Sequence, residues 1–181
     1  MTTRQHDWGT RYDRHMVQIM NNPAGRPLYA TAARRRTLVA AHVALTGGTL
    51  AVMIGGMAAR APWVVLGGIA VLLPLWCCAT GAINSCTRGL LELRSRVLDE
   101  RQLADRHRVQ ARAHRISVAI LFAAVVTLAA VGMARGEFAS GALLPVSVVA
   151  LVAFWLMPLW TAGLMARDEI EELPDEAVAT L

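Results

Sequence analysis

Long uninterrupted apolar runs alternate with arginine-rich segments along this chain. Residues 37–59, 62–84, 116–134 and 142–165 form four stretches with no Asp, Glu, Lys or Arg. Crossing about 30 Å of hydrocarbon at 1.5 Å per residue takes roughly 20 apolar residues, because backbone groups in lipid must satisfy one another within a helix. Each stretch is long enough, so the pattern predicts an all-α membrane fold with four transmembrane helices. The 36 mostly polar residues ahead of the first run do not have the short basic start and apolar core of a secretory signal. A cleaved targeting peptide is therefore not expected.

Composition agrees. The chain has 181 residues, 55% of them hydrophobic and only 17% charged, with a mean hydropathy of +0.43. Once the spans are subtracted, no remaining stretch can bury a soluble core of useful size. The expected organisation is a cytoplasmic N-terminal segment (1–36), a transmembrane domain (37–165) containing an Arg-rich hairpin (86–115), and an acidic tail (166–181).

Charge sets the expected orientation. All 18 basic residues are arginine and the formal net charge is +5. Seven arginines precede the first span, eight lie between the second and third, and Arg167 follows the fourth, whereas Arg60 and Arg135 alone occupy the other two loops. Positive residues flanking spans resist translocation. The sixteen-to-two division predicts two in-out-in hairpins with both termini and the central connector in the cytoplasm of a bacterial inner membrane.

An internal echo runs through the spans. Gly56-Met57-Ala58-Ala59-Arg60 resembles Gly132-Met133-Ala134-Arg135, and Leu73-Pro74-Leu75-Trp76 resembles Met157-Pro158-Leu159-Trp160. Duplication and chance both remain open. Proline within a span frees a carbonyl one turn earlier, so Pro74 and Pro158 are read as packing kinks, with a hinge as the sharper alternative. Ala40, Ala44 and Gly48, spaced by four, predict close helix approach, taken here mainly as packing inside the four-helix unit.

The connector is dense in strong helix formers, so both flanking helices are expected to extend beyond the membrane and meet in a turn near residues 96–99. Asp99 and Gln102 have the spacing of a capping box. Arg94, Arg101, Arg108 and Arg115 recur every seven residues, a spacing that on a continuous helix keeps side chains on one slowly drifting face; with the turn near Asp99 only the last three stay aligned. They form the candidate interaction surface, for anionic headgroups, an acidic partner, or the tail's own Asp168, Glu169, Glu171, Glu172, Asp175 and Glu176. Near the N-terminus, Trp8, Tyr12, Met16, Ile19 and Met20 fall at helical spacing, predicting a short amphipathic helix on the membrane surface or, alternatively, over the connector.

Candidate chemistry is sparse. Cys77, Cys78 and Cys86 form no Cys-x-x-Cys pair, and adjacent Cys77 and Cys78 point about 100° apart on a helix. His42 lies at a depth comparable with Cys78, which leaves a thin metal or redox alternative beside the plainer reading of a packed, hydrogen-bonded histidine. No intramembrane carboxylate or arginine marks an ion route, and no nucleophile, zinc or phosphate-loop motif is present. The expectation is no catalytic residues, no metal and no cofactor. Arginines tied to membrane edges argue against nucleic-acid binding.

Leu98-Asp99-Glu100-Arg101-Gln102, followed by Arg106, Ala111 and a span, resembles the Asp-Glu-Arg-Gln cytoplasmic helix signature of small uncharacterised multi-span membrane proteins of high-GC bacteria. The resemblance covers about 35 residues and brings no activity with it. The leading expectation is a non-enzymatic accessory or interaction subunit, in contact with membrane lipids and with a protein partner at the cytoplasmic face, homo-oligomerisation being open. The rivals are a small transporter or channel component, with Pro74 and Pro158 lining its route, and a redox or metal-handling protein.

Overall fold

A computed structural model describes residues 11–20, 26–95, 98–135 and 140–166. Among them the chain forms six helices: α1 (Arg11–Met20), α2 (Arg26–Tyr29), α3 (Ala32–Ala58), α4 (Pro62–Cys86), α5 (Glu100–Arg135) and α6 (Ser140–Met165). The four long ones are apolar and long enough to cross a membrane. They coincide with the four predicted spans to within a few residues, except that α5 begins sixteen residues before its span. At 36 residues and 1.5 Å per residue, α5 is about 54 Å long.

The outer surface of the long helices is apolar. Trp63, Phe122, Leu144 and Trp155 are each at least 70% exposed, and no more than 17% of any span's most apolar window is buried within the protein. Exposed apolar area on that scale matches a hydrocarbon surround, not water.

Local chemistry starts and stops the helices. Thr31 caps α3, its hydroxyl accepting from Arg34 N at 3.3 Å. Pro62 opens α4, where its missing N–H costs nothing. Asp99 and Gln102 close the expected capping box: Gln102 N donates to Asp99 Oδ1 at 2.6 Å and Asp99 N donates to Gln102 Oε1 at 3.1 Å.

Helices α3 and α4 end in the same way. Ala61 N reaches back to Gly56 O and Arg60 N to Met57 O; Gly89 N reaches Asn84 O and Arg88 N reaches Ser85 O. Each is a Schellman motif with an arginine in the left-handed region, Arg60 and Arg88 both at φ 52°.

This second cap corrects the expected connector. Helix α4 stops at Cys86 and residues 87–95 run in turns, so only α5 supplies a helical extension. Helix propensity loses here because Gly89, at φ 70°, accepts the left-handed bend that turns the chain back and buries Leu93 and Leu98. Arg106 fixes the fold-back, Nη1 donating to Leu93 O at 3.0 Å.

The core joins three spans. Val39 of α3, Ile83 of α4 and Leu156 and Leu159 of α6 form it, flanked by Leu38, Trp76, Val152 and Trp160. Helix α5 packs on α6 alone among the described helices, and Val109, Ala113 and Ser117 are buried along one side of it.

Close approach occurs, but not along the Ala40, Ala44 and Gly48 row. Ala40 and Ala44 are exposed, and Gly48 comes only within ordinary contact of Leu72. The tight points are Gly56, where a Cβ would run into Val65, and Gly68, where it would run into Val52. The neighbouring Gly55 and Gly67 face open space. Helix α3 is rotated so because Arg35, Val39, His42, Thr46 and Gly56 share one face and are buried, which puts Ala40 and Ala44 on the opposite side.

The paired glycines give a direct check. Gly68→Ile should cost about 1 to 3 kcal/mol by overpacking against Val52, whereas Gly67→Ile should leave the unfolding midpoint in detergent unchanged or slightly raised.

Candidate functional site

A buried polar centre ties the three core spans together around His42, which has no exposed surface. Trp160 of α6 donates Nε1–H to His42 Nδ1 at 2.9 Å. His42 Nε2 lies 2.8 Å from Thr80 Oγ1 of α4. Indole nitrogen is only a donor, so Nδ1 must accept; the ring proton then sits on Nε2 and is donated to Thr80. The Thr80 hydroxyl passes its own proton to Trp76 O at 2.8 Å.

A second path runs back to α3. Trp76 donates Nε1–H to Thr46 Oγ1 at 3.0 Å, and Thr46 donates to His42 O at 2.8 Å. Ring contacts reinforce the bonds: the His42 and Trp76 centroids are 5.0 Å apart, and Trp160 stands edge-on to His42 at 6.2 Å. Every ring nitrogen in the cluster is engaged. In a low-dielectric interior such a fully satisfied network rigidifies the helices that share it.

The two Pro-Leu-Trp elements therefore converge on one histidine. Both α4 and α6 continue through their prolines, and the tryptophan two residues after each turns inward. Sequence reading singled out His42, Trp76 and Trp160 separately and missed Thr46 and Thr80. The available signal was the four-residue spacing of His42 to Thr46 and of Trp76 to Thr80, which places each hydroxyl one turn beyond its partner on the same face.

The cysteines lie elsewhere. Cys77 and Cys78 are exposed on α4 and Cys86 is intermediate, and both His42 nitrogens already have protein partners. Among the described residues, no group of three or more His, Cys, Asp or Glu stands close enough to hold a metal ion.

The arginine row divides ahead of Asp99, as the expected turn requires. Arg101, Arg108 and Arg115 lie on α5 and are exposed; Arg108 pairs within the helix with Asp105 at 3.3 Å. Arg94 sits in the turns before α5. Its guanidinium lies 5.6 Å from the Tyr12 ring centroid and its Nε 3.9 Å from Asp13 Oδ1. Asp13 is 2% exposed, so α1 is seated on the connector through its Asp13, Met16, Val17 and Met20 side, with Tyr12 half-exposed beneath Arg94 and Ile19 outward. Arg94, Arg106 and His107 also edge a polar cleft between the connector and α5. Trp8 and the acidic tail beyond residue 166 lie outside the described residues.

Comparison with protein-family models, with curated proteins and with solved structures gives no match.

The network orders the expected effects of substitution. Trp160→Phe orphans the buried His42 Nδ1 and should cost about 1 to 3 kcal/mol. Trp76→Phe removes one donor yet leaves Thr46 bonded to His42 O, and should cost less on that account. Thermal unfolding in detergent gives the order, and histidine-ring ¹⁵N shifts should show the Nε2–H tautomer in the parent protein.

Proposed function

We propose that the chain is a non-enzymatic accessory or interaction subunit of the cytoplasmic membrane, with both termini and the connector in the cytoplasm. The observation that carries this reading is the position of α5. Among the described helices it touches α6 alone, and its exposed Arg101, Arg108 and Arg115 stand in line beyond its apolar part. In the core spans, by contrast, the polar groups around His42 are spent on one another, although Asn84 Oδ1 near the end of α4 is buried without a partner among the described residues. Residues positioned for chemistry on a bound molecule keep some donors or acceptors unspent; those around His42 are used in holding helices.

Orientation is supported by the sixteen-to-two distribution of arginine. The basic row would then face the acidic surface of a partner, or the headgroups of the inner leaflet, where each arginine near the surface contributes roughly 1 kcal/mol. Single exposed ion pairs contribute about 0 to 1 kcal/mol each and weaken with salt, so binding has to come from the row acting together with apolar contacts along the free side of α5.

Two measurements test the proposal. Affinity purification in mild detergent should recover one stoichiometric protein partner with the parent chain and lose it with an Arg101→Gln, Arg108→Gln, Arg115→Gln variant. A chain that runs alone, or that keeps the partner after neutralisation, overturns the role. A reporter active only outside the cytoplasm should respond when fused at Ala61 and stay silent at Asp99; the opposite pattern overturns the orientation.

A further inference from the structure

We infer that the cleft between the connector and the first turns of α5 is a binding site for a phosphate group, held by Arg94, Arg106 and His107. Donors line it from two sides. Arg94 and Ser95 come from the turns of the connector and Arg106, His107 and Gln110 from α5, around a space of about 600 Å³. Gln110 lies four residues after Arg106 and three after His107, so all three stand on one side of the helix.

Both guanidiniums are held in place with donors to spare. Arg106 spends one of its five N–H groups, Nη1 donating to Leu93 O at 3.0 Å. Arg94 lies over the Tyr12 ring, 5.6 Å from its centroid, and its Nε is 3.9 Å from Asp13 Oδ1, longer than a hydrogen bond. Neither arginine has a further partner among the described residues. Each is thus positioned by one neighbour and still able to donate to another group, which lowers the cost of ordering the site around a ligand.

The donor set selects the ligand. A carboxylate presents two oxygens in one plane, which a single guanidinium fork satisfies. A phosphate group presents three acceptor oxygens and close to two negative charges, so it calls for cations arriving from more than one wall. The cleft supplies a guanidinium from each side, and His107 adds at least one ring N–H in either protonation state. Among the described residues Glu92 is the one carboxylate lining the cleft, and its Oε1 accepts from Asn84 Nδ2 of α4 at 3.4 Å. Two permanent positive charges therefore stand against one negative charge.

Height along α5 admits two carriers of the same chemistry. Gln110 and Arg106 precede Ile116, where the charge-free part of α5 begins, by six and ten residues, about 9 and 15 Å along the axis. That is the outer edge of a headgroup layer and the water beyond it, within reach of a lipid phosphate and of a soluble phosphoester alike. The inference is independent of the accessory role.

The test is histidine-ring NMR of the full chain in detergent at fixed pH, with His107 assigned by its loss in His107→Gln. Sodium phosphate exchanged for sodium chloride at constant ionic strength should shift the His107 ring saturably. Arg94→Gln and Arg106→Gln should each weaken binding by about tenfold or more, the loss of a charge-assisted hydrogen bond. Gln110→Glu alters no described contact and should weaken it as much by placing a carboxylate in the cleft, which keeps the experiment decisive should loss of Arg106 release the connector. Arg112→Gln removes an equal charge from an exposed position two residues beyond Gln110, on the far side of α5, and should leave the affinity unchanged. No saturable shift, or equal weakening by Arg112→Gln, overturns the site, and acetate binding as tightly as phosphate overturns the phosphate chemistry in favour of a carboxylate partner. With phosphate bound in detergent, a matching His107 shift in nanodiscs containing phosphatidic acid identifies a lipid headgroup as the carrier, and no shift there identifies a soluble phosphoester.

Discussion

A neutral histidine buried among three spans is the constraint on which the rest of the arrangement rests. Polar side chains facing hydrocarbon are costly, and a histidine has two nitrogens to satisfy at once. His42 meets that requirement only if α4 brings Thr80 to one side of the ring and α6 brings Trp160 to the other. That condition fixes the rotation of α3, and with it which small residues meet a neighbour and which face outward. Gly56 and Gly68 then become the close contacts between α3 and α4, and Gly163 of α6 comes to lie with its missing Cβ only 2.9 Å from Val39.

Helix α5 stands outside this network. It shares no hydrogen bond with the His42 cluster, and it meets α6 across a face containing Ala113 and Ser117 that is too small to fill the interface. Two consequences follow from the one cause. The interface keeps a groove beside a hydroxyl that has no partner among the described residues, and among the described helices no other covers α5. The connector partly compensates at the charged end: Gly89 and Arg88 turn the chain, Arg106 holds Leu93, and Arg94 takes up Tyr12 and Asp13 of α1. Helix α1 is thus fastened to the connector by a buried carboxylate and a cation over the Tyr12 ring, while Ile19 stays exposed on its outer face.

Much of the helical layout was legible because it depends on local rules. Uncharged runs of the right length mark spans, Pro62 marks a helix start, and Asp99 with Gln102 marks another. The connector shows the limit of that reasoning. Its residues favour helix, yet a left-handed pair at Arg88 and Gly89, together with the burial of Leu93 and Leu98, outweighs propensity. The arginine heptad was legible with its break, since a turn ahead of Asp99 leaves only the three members on α5 in line and Arg94 falls in that turn region.

The residues alone determined how many apolar helices there are, roughly where each begins and ends, and where the charges gather, since hydrocarbon length, capping and proline chemistry act within a few neighbours. Only the tertiary structure decided which face of each helix is inside. Ala40 and Ala44 looked like packing residues and face outward; His42 was legible as a packed, hydrogen-bonded residue, but not its partners, because Thr80 and Trp160 lie 38 and 118 positions away along the chain. A hydrogen bond across that separation has no periodicity to announce it. It exists only once three helices are side by side.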